Sequence, residues 1–218
     1  AENYGIARNT RKAEEAKAQI LTDKINVVPE NELAVWSKYG KPLRGYGVRV
    51  RTAGQPVFGR PLAVTVDYRG THQLELRGDY LALQYLDAMS MALEICDLLD
   101  VPAESVLQGL ASFPGVPGRG VITEENGVCT LCDRNPGVSH LSVERTLSCL
   151  QAMNALQDAV LIVDPISRKV CDKMDRDLIA AVAAKYNVPL IITDGSGGET
   201  TVPADKKMVI RMTKEGYQ

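Results

Sequence analysis

The sequence is poor in aromatic residues and carries no excess of charge of either sign. Its 218 residues include two Phe, one Trp and eight Tyr, and the formal net charge at pH 7 is -2. Binding of nucleic acid needs a basic surface against the phosphate backbone and, for single strands, aromatic rings on which bases stack. Nucleic acid is therefore not expected as a partner.

Long apolar runs are missing as well, so no membrane segment is predicted. No stretch approaches the roughly 20 apolar residues that span a bilayer, and the opening residues AENYGIARNTRKAEEAK are charged where a secretory signal would be apolar. Five cysteines, an odd number, do not indicate a disulfide framework in a chain of this length. We therefore expect a cytoplasmic protein with reduced thiols and no membrane partner.

The sequence also lacks a usable phosphate-binding loop. The segment GQPVFGRP (Gly54 to Pro61) has the glycine spacing of such a loop, but Arg60 and Pro61 stand where a Lys and a hydroxyl residue are needed. It precedes a predicted strand and not a helix that could bind phosphates, so we predict a turn between strands. The glycine-rich segment from Gly195 to Thr200 is predicted to be a flexible connection. The chain alone is not expected to turn over a nucleotide.

What the sequence does contain is an alternation of helices and strands. In the first half, hydrophobic periodicity and turn residues predict a partial α/β domain. Its expected elements are a helix from Thr10 to about Asp23, a strand at Ile25 to Val28, a helix from Pro29 to Gly40, three strands within 45–78, and helices from Tyr80 to Leu99 and from Pro102 to Phe113. The Pro- and Gly-rich segment FPGVPGRG (Phe113 to Gly120) predicts a linker, and we place the domain boundary there.

The second half predicts a parallel sheet covered on both faces. Asn126-Gly127 between two alternating apolar runs is a strong hairpin signal, and helices and strands alternate after it. The expected elements are a helix from Ser139 to Met153, a strand at 159–165, a helix from Asp172 to Tyr186, and strands at 188–194 and 207–212. In sheets of this kind functional groups lie at the carboxyl ends of the strands, where Asp133, Asp164 and Asp194 stand.

The segment CDRNPGVSH is the most informative one for function. Asp133 ends a strand, and a tight Asn-Pro-Gly turn leads into a helix for which Ser139 is the expected N-cap. This arrangement directs a carboxylate, an amide and backbone N–H groups to one point. A purely structural connection would use the same residues, so the pattern alone leaves both interpretations open.

The cysteine and histidine patterns favour structural roles. Cys129 and Cys132 form a C-x-x-C without a second pair at zinc-site spacing, and an offset of three on a strand puts the two thiols on opposite faces. Burial explains them best. His72 and His140 have no neighbouring partner for a metal site, and exposure to solvent is the default for both, although His140 stands at a junction of loop and helix.

Four features, in order along the chain, resemble the second half of the Mur ligases, the family that activates a carboxylate as an acyl phosphate with ATP and couples it to a nucleophile. They are EEAKAQI followed by INVV, the segment ELRGDYLALQYLDAMSMALEICDLLD with the helix after it, the linker PGVPGRG, and NGVCTLCDRNPGVSH. The resemblance implies an α/β fold, with residues 1–114 as the remainder of the central ATP-binding domain. Residues 115–218 would form a Rossmann-like C-terminal domain with a mostly parallel sheet.

The resemblance also implies binding of ATP and Mg²⁺. Lys17 matches a lysine that is carbamylated and binds magnesium in many members, which suits a hard cation because a carbamate supplies anionic oxygen. Gln84 and Asp87 match two asparagines, the first of them near the adenine. Arg119 matches an arginine that reaches the ATP phosphates, and Asp133 matches the aspartate at the ribose. Lys17, Arg119 and Asp133 are the catalytic residues that the resemblance implies.

The same resemblance places the substrate at Asn135, Ser139 and His140. The expected substrate is a small-molecule carboxylate. In the family, a substrate domain and a G-x-x-G-K-[ST] loop precede the matched features, and this sequence starts without Met inside the lead-in to a helix. We therefore expect a fragment that is inactive alone and whose partner is the missing N-terminal part of the same enzyme.

Departures from the family pattern resemble divergent archaeal members more than peptidoglycan ligases. Leu83 replaces a His, and Asp133 and Asn135 are closer together than in the usual motif. The expected relative is the synthetase that completes the nickel-tetrapyrrole coenzyme of methanogens, with a pseudomurein or peptidoglycan peptide ligase as the alternative. Alternatives from other classes are a non-catalytic α/β binding module and a Rossmann-type dinucleotide domain. The latter lacks its G-x-G-x-x-G motif.

Overall fold

The computed structural model describes residues 10–165, 174–195 and 200–214. These residues form two compact units. For the described residues, the first unit is drawn from Ala1–Gly54, Ala63–Leu76 and Tyr85–Phe113, and the second from Gln55–Leu62, Arg77–Gln84 and Pro114–Gln218. The assignment of residues 1–114 and 115–218 to the two ligase domains stays a prediction.

The described residues of the first half form two small sheets, four α-helices and two 3-10 helices. Its elements are α1 (Thr10–Ala18), β1 (Asn26–Pro29), a 3-10 helix (Glu30–Glu32), α2 (Leu33–Ser37), β2 (Leu43–Tyr46), β3 (Val50–Thr52), β4 (Leu62–Asp67), β5 (Thr71–Leu76), a second 3-10 helix (Ala82–Tyr85), α3 (Leu86–Leu98) and α4 (Ala103–Ser112). β1 pairs with β2 in parallel, and β3, β4 and β5 form a separate three-stranded sheet.

The prediction of three strands within 45–78 is wrong in one respect, because β2 is a separate strand that pairs with β1. Gly45 explains how closely β2 approaches the helical segment before it. A Cβ added there would lie 2.7 Å from Leu33 Cδ1 and 3.3 Å from Glu30 Cα, so only glycine fits without displacement. The conformation of β2 therefore depends on contacts with residues outside the sequence from which a strand was predicted within 45–78.

The core of the first unit combines alternating strand residues with one buried ionic group. Val64 and Val66 of β4 are buried together with Leu93 of α3. The Glu94 carboxylate is only 6% exposed and accepts hydrogen bonds from Arg44 Nε at 2.5 Å and Arg49 Nη1 at 3.1 Å. Because a buried carboxylate is costly without partners, these contacts compensate for its burial.

Three predicted helices are shorter than expected. The helix predicted from Pro29 to Gly40 consists of the 3-10 helix Glu30–Glu32 and the five-residue α2 (Leu33–Ser37). α1 ends at Ala18 and not near Asp23, and the helix predicted from Tyr80 begins only at Leu86, after a 3-10 turn. The backbone N–H of Leu81 donates to Gly120 O at 2.8 Å, and that of Ile122 donates to Asp79 O at 2.9 Å. These long-range bonds flank an antiparallel bridge between Tyr80 and Val121 and override the local helical periodicity.

The second unit is built on a five-stranded sheet with the order β6-β7-β10-β8-β9. Its elements are β6 (Val121–Glu125), β7 (Val128–Arg134), α5 (His140–Ala152), β8 (Ala159–Asp164), α6 (Arg176–Lys185), β9 (Leu190–Ile192) and β10 (Met208–Thr213). Only β6 is antiparallel to its neighbour, so the prediction of a mostly parallel sheet is confirmed. The predicted hairpin is confirmed as well. Asn126 and Gly127 both have positive φ, 51° and 76°, as a type I′ turn requires.

Both faces of this sheet are buried. All six residues of β8 are buried, as predicted for a strand of a parallel sheet covered on both faces. On one face Leu161 contacts the cluster that includes Leu147 of α5 and Ile179 of α6, whereas Val160 of β8 belongs to a smaller cluster on the other. Within the described ranges, no helix has the length and apolar character needed to cross a bilayer.

Candidate functional site

The parallel strands of the second unit end together, and buried polar residues collect at that edge. Arg134 of β7 and Asp164 of β8 both pair with Thr213 at the end of β10. Beyond the ladder, Asn135 N–H donates to Thr213 O at 2.9 Å and Lys214 N–H to Asp164 O at 2.8 Å. The sheet therefore fixes the backbone of all three strand ends, as an α/β binding edge requires.

Asp133 is the least satisfied of these polar groups. The residue is 9% exposed, and its Oδ2 accepts a hydrogen bond from Asn135 Nδ2 at 3.2 Å. Its Oδ1 is buried and has no hydrogen-bond partner among the described residues. Burial raises the pKa of the Asp133 carboxyl above its ordinary value, which the Asn135 hydrogen bond and the charge of Arg119 offset only in part. Such an unsatisfied buried oxygen is uncommon in native proteins and requires an explanation.

The two other aspartates at strand ends differ from Asp133. Asp164 is also buried, but its Oδ2 lies 3.3 Å from Arg211 Nη1, with which it forms an ion pair. Asp194 is exposed, so water can solvate it. Asp133 is therefore the strand-end aspartate with a buried oxygen left unsatisfied in the described part of the chain.

The turn after Asp133 leads directly into α5, as predicted. Ser139 is confirmed as the N-cap: its Oγ accepts from Ser142 N–H at 3.5 Å, and Ser142 Oγ accepts from Ser139 N–H at 2.9 Å. This reciprocal capping box satisfies two donors at the helix start. His140 is the first residue of α5 and is half-buried, not simply solvent-exposed. The Ser139 hydroxyl thus has a structural partner within the protein.

Arg119 is held beside β7 by its neighbours. Gly118 and Gly120 adopt positive φ angles of 73° and 62°, which glycine adopts without strain. Arg134 N–H of β7 donates to Gly118 O at 2.7 Å, and Arg119 N–H closes a turn onto Val116 O at 2.9 Å. This tight connection brings the Arg119 charge close enough to act on Asp133.

Gln84 belongs to the same unit. Its Nε2 donates to Thr146 Oγ1 on α5 at 2.9 Å. Its Oε1 would lie 3.9 Å from a Cβ added at Gly120, the residue after Arg119. Of the eight site residues predicted from the sequence, the second unit therefore contains these six: Gln84, Arg119, Asp133, Asn135, Ser139 and His140.

The two remaining predicted residues belong to the first unit. Lys17 is half-buried in the last turn of α1. Asp87 is exposed on α3, and its Oδ2 accepts a hydrogen bond from Tyr46 OH at 3.2 Å. Among the described residues there is no group of three or more His, Cys, Asp or Glu side chains that could hold a metal ion. Lys17 as a magnesium ligand stays a prediction.

The motifs for which no functional role was predicted have structural explanations. Residues 54–61 connect β3 to β4 without a following helix, which confirms the predicted turn. Cys129 and Cys132 are free, half-buried thiols, and burial raises the pKa of each above its ordinary value. His72 is also half-buried, and its Nε2 lies 3.1 Å from Tyr68 O. The glycine-rich segment 195–200 lies largely outside the described residues.

One buried residue at this edge was not anticipated from the sequence. Lys214 follows β10 and is only 6% exposed. The available signal was a basic residue at the carboxyl end of a predicted parallel strand. Its burial could not be anticipated, because it depends on α5 and its preceding loop lying over the end of β10.

Comparisons with known proteins support the fold. No protein-family model matches the sequence, and no curated protein matches it. Among solved structures, MurF from Acinetobacter baumannii is similar over 94% of this chain and 51% of its own, with 13% identity and a TM-score of 0.62. The fold is that of Mur ligases and folylpolyglutamate synthases.

Two folylpolyglutamate synthases are also similar to this chain. The folylpolyglutamate synthetase from Lactobacillus casei is similar over 93% of this chain and 55% of its own, with 14% identity and a TM-score of 0.56. The folylpolyglutamate synthase from Thermotoga maritima is similar over 92% of this chain and 54% of its own, with 14% identity and a TM-score of 0.54. The chain thus spans about half the length of the structures that it matches.

Proposed function

We propose that this chain is part of an ATP-dependent ligase that activates a carboxylate as an acyl phosphate and couples it to a nucleophile. The shared fold supports this reaction class. The observation that carries the proposal is the environment of Asp133, where a buried carboxylate oxygen without a described partner lies within the influence of the Arg119 charge. A nucleotide offers a hydroxyl donor for the Asp133 carboxylate and phosphates for the Arg119 guanidinium.

The residues at this edge suit a bound nucleotide. Asp133 Oδ1 would accept a hydrogen bond from a ribose hydroxyl, which would satisfy it. Arg119 would contact the phosphates, for which a guanidinium is well matched. Gln84 would lie on the adenine side. Asp87, which belongs to the first unit, stays a candidate for nucleotide binding on the family resemblance alone. Asn135, Ser139 and His140 would border the substrate, with Ser139 contributing through its position at the N-terminus of α5.

The proposed reaction has two steps. A substrate carboxylate oxygen attacks the γ-phosphorus of ATP, a new oxygen–phosphorus bond forms, and ADP leaves with the electrons of the broken bond. A nucleophile then attacks the acyl carbon, the bond from that carbon to the phosphate oxygen breaks, phosphate leaves with its electrons, and the nucleophile loses its proton to solvent. Positioning and charge neutralisation by residues such as Arg119 would carry phosphoryl transfer. Magnesium would arrive with ATP. A carbamylated Lys17 would hold the ion, as the family resemblance implies.

The departures from the sequence pattern of peptidoglycan ligases support a more specific proposal about the type of ligase. We infer a synthetase of the nickel-tetrapyrrole type, in which the coupling is an intramolecular ring closure, and place a pseudomurein or peptidoglycan peptide ligase second. The sequence contains no G-x-x-x-x-G-K-[ST]. The proposed activity therefore requires a segment or partner that carries this loop, and the chain by itself would be inactive.

The test uses protein expressed from the complete coding frame. Upstream of Ala1, the frame should encode a G-x-x-G-K-[ST] loop between a strand and a helix within about a hundred residues. ATP-dependent ligation should then fall roughly 100-fold in Arg119→Ala, because one charge that stabilises the transition state is lost. Arg145→Ala, at an exposed position on α5, is the matched control and should leave the rate unchanged.

Two results would contradict the proposal. Unchanged ligation in Arg119→Ala would show that Arg119 has no role at the phosphates. A frame without a phosphate loop, together with no ATP binding by calorimetry, would instead support a non-catalytic α/β binding module.

A further inference from the structure

We infer that Lys214 is the cationic anchor of an anion-binding subsite that holds a carboxylate or phosphate group of a substrate at the carboxyl edge of the five-stranded sheet. Naming the anion's source rests on the proposed function. The anchoring itself rests on the contacts of Lys214, since a lysine is seldom buried unless it is paired.

The first observation is the poor compensation of the buried ammonium. Lys214 is 6% exposed, and its described polar contact is a donation from Nζ to Val138 O at 3.5 Å, which is at the long limit for a hydrogen bond. It forms no ion pair with any carboxylate of the described residues, including Asp133 and Asp164. Burial of an ammonium without a counter-charge is costly. A native protein retains such a group where a ligand completes its environment.

The second observation is the rigidity of the position. Lys214 N–H donates to Asp164 O at 2.8 Å, and the preceding Thr213 pairs with both neighbouring strands. The backbone of Lys214 is therefore fixed by the central strand of the sheet. The charged end of the side chain can adjust only within the space that Val138 and its neighbours leave.

The third observation is the positive potential at the same place. Val138 directly precedes Ser139, the N-cap of the 13-residue helix α5. The first turn of α5 has no acidic residue, so no side chain of that turn neutralises the partial positive charge of the helix N-terminus. The Lys214 ammonium contacts Val138 O, one residue before this helix end, and both charges favour an anion.

Neighbouring charges favour a small anion. Asp133 is on the same strand face, because it pairs with Met212 and Lys214 is two residues further along. Its carboxylate would repel a ligand with several negative charges close to it. A carboxylate, or one edge of a phosphate group turned toward Lys214, satisfies the ammonium without that repulsion.

The experiment measures anion binding without ATP, so its failure is separate from failure of the Arg119 test. Sodium acetate and inorganic phosphate are titrated against the protein, with chloride at equal ionic strength as the reference, and binding is followed by NMR shifts of the 135–141 amides. We expect one of these anions to bind. Lys214→Met, which keeps an unbranched side chain only one atom shorter and removes the charge, should weaken that binding about ten-fold or more. Lys214→Arg should retain most of it.

Lys185→Met is the matched control, because Lys185 is an exposed lysine of the same unit that pairs with Glu144. It should leave anion binding unchanged. Preference for acetate assigns the subsite to a substrate carboxylate, and preference for phosphate assigns it to the transferred phosphoryl group. Failure of both anions to bind the wild-type protein would overturn the inference, as would equal binding by wild type and Lys214→Met.

Discussion

Replacement of Asp133 by Asn should stabilise the protein at neutral pH while weakening its proposed function. Asp133 is buried, one of its oxygens has no described partner, and the other accepts a long hydrogen bond from Asn135. An unsatisfied buried polar atom costs roughly 1–3 kcal/mol, more when it is charged. Asn keeps the shape and the hydrogen bond but removes the charge, and still leaves one polar group unsatisfied. We therefore expect the free energy of unfolding of the second unit to rise by about 1 kcal/mol at pH 7.

The pH dependence of this gain is a second consequence. Burial, the largest effect on Asp133, raises its pKa above the ordinary value of 3.8. Below that value Asp133 is protonated in the folded and unfolded chains alike, so Asp133→Asn should change little. As the pH rises toward the higher pKa of the folded state, ionisation favours the unfolded chain, and the wild type loses stability that the variant keeps. The difference should be largest above the folded pKa.

Urea unfolding from pH 3 to pH 8, followed by circular dichroism, measures this difference. Asp205→Asn is the control, because the hydrogen bond from Lys206 lowers the pKa of Asp205 and no stabilisation is expected from its removal. A loss of stability in Asp133→Asn at pH 7 would refute the reasoning, since it would show that the protein compensates the Asp133 charge fully. A gain that does not vary with pH would refute the assignment of the effect to ionisation.

Three further predictions concern the stability of the two units. Leu147→Ala should lower the free energy of unfolding in urea by about 3 kcal/mol, because this side chain of α5 is fully buried. Leu178→Ala, at a 44% exposed position, should lower it far less. Gly127→Ala should cost about 1 kcal/mol from backbone strain alone, since an added Cβ meets no atom within 4 Å. Glu94→Gln should cost about 2 kcal/mol by leaving two arginines without their buried carboxylate, while Lys185→Gln at a surface ion pair should show no measurable loss.

Each of these predictions has an outcome that would contradict it. Equal losses in the two leucine variants would show that α5 does not pack as described. A cost well above 1 kcal/mol at Gly127 would mean that the turn contacts other parts of the protein. Full stability in Glu94→Gln would show that the arginines are solvated well enough without the carboxylate.

Local patterns in the sequence were sufficient for the second half of the fold. The Asn126-Gly127 turn, the apolar run of β8 and the N-cap Ser139 are short-range signals with a direct physical cause: positive φ, burial on both faces and satisfaction of helix N–H groups. The signal for each lies within its own segment, in the Asn-Gly pair, the uninterrupted apolar run and the serine before the helix, so each could be inferred without knowledge of the partners.

Segments whose conformation depends on distant residues could not be inferred in this way. The stretch from Tyr80 has helical periodicity, but Tyr80 forms an antiparallel bridge with Val121, and Leu81 N–H donates to Gly120 O. β2 pairs with β1, and a residue larger than Gly45 would meet Leu33. Long-range hydrogen bonds and contacts outweighed local propensity at these places.

The candidate site shows the same difference between local and long-range determinants. The sequence by itself determined which residue types stand at the strand ends and turns, and the resemblance to Mur ligases attached provisional roles to them. Only the tertiary structure decided their surroundings. It placed Gln84 in the unit of Asp133 and Asp87 in the other, paired Asp164 with Arg211, left Asp133 Oδ1 unsatisfied, and buried Lys214 beside Val138. Burial and pairing depend on what the rest of the chain brings into contact, and a residue's own neighbours in sequence do not specify that.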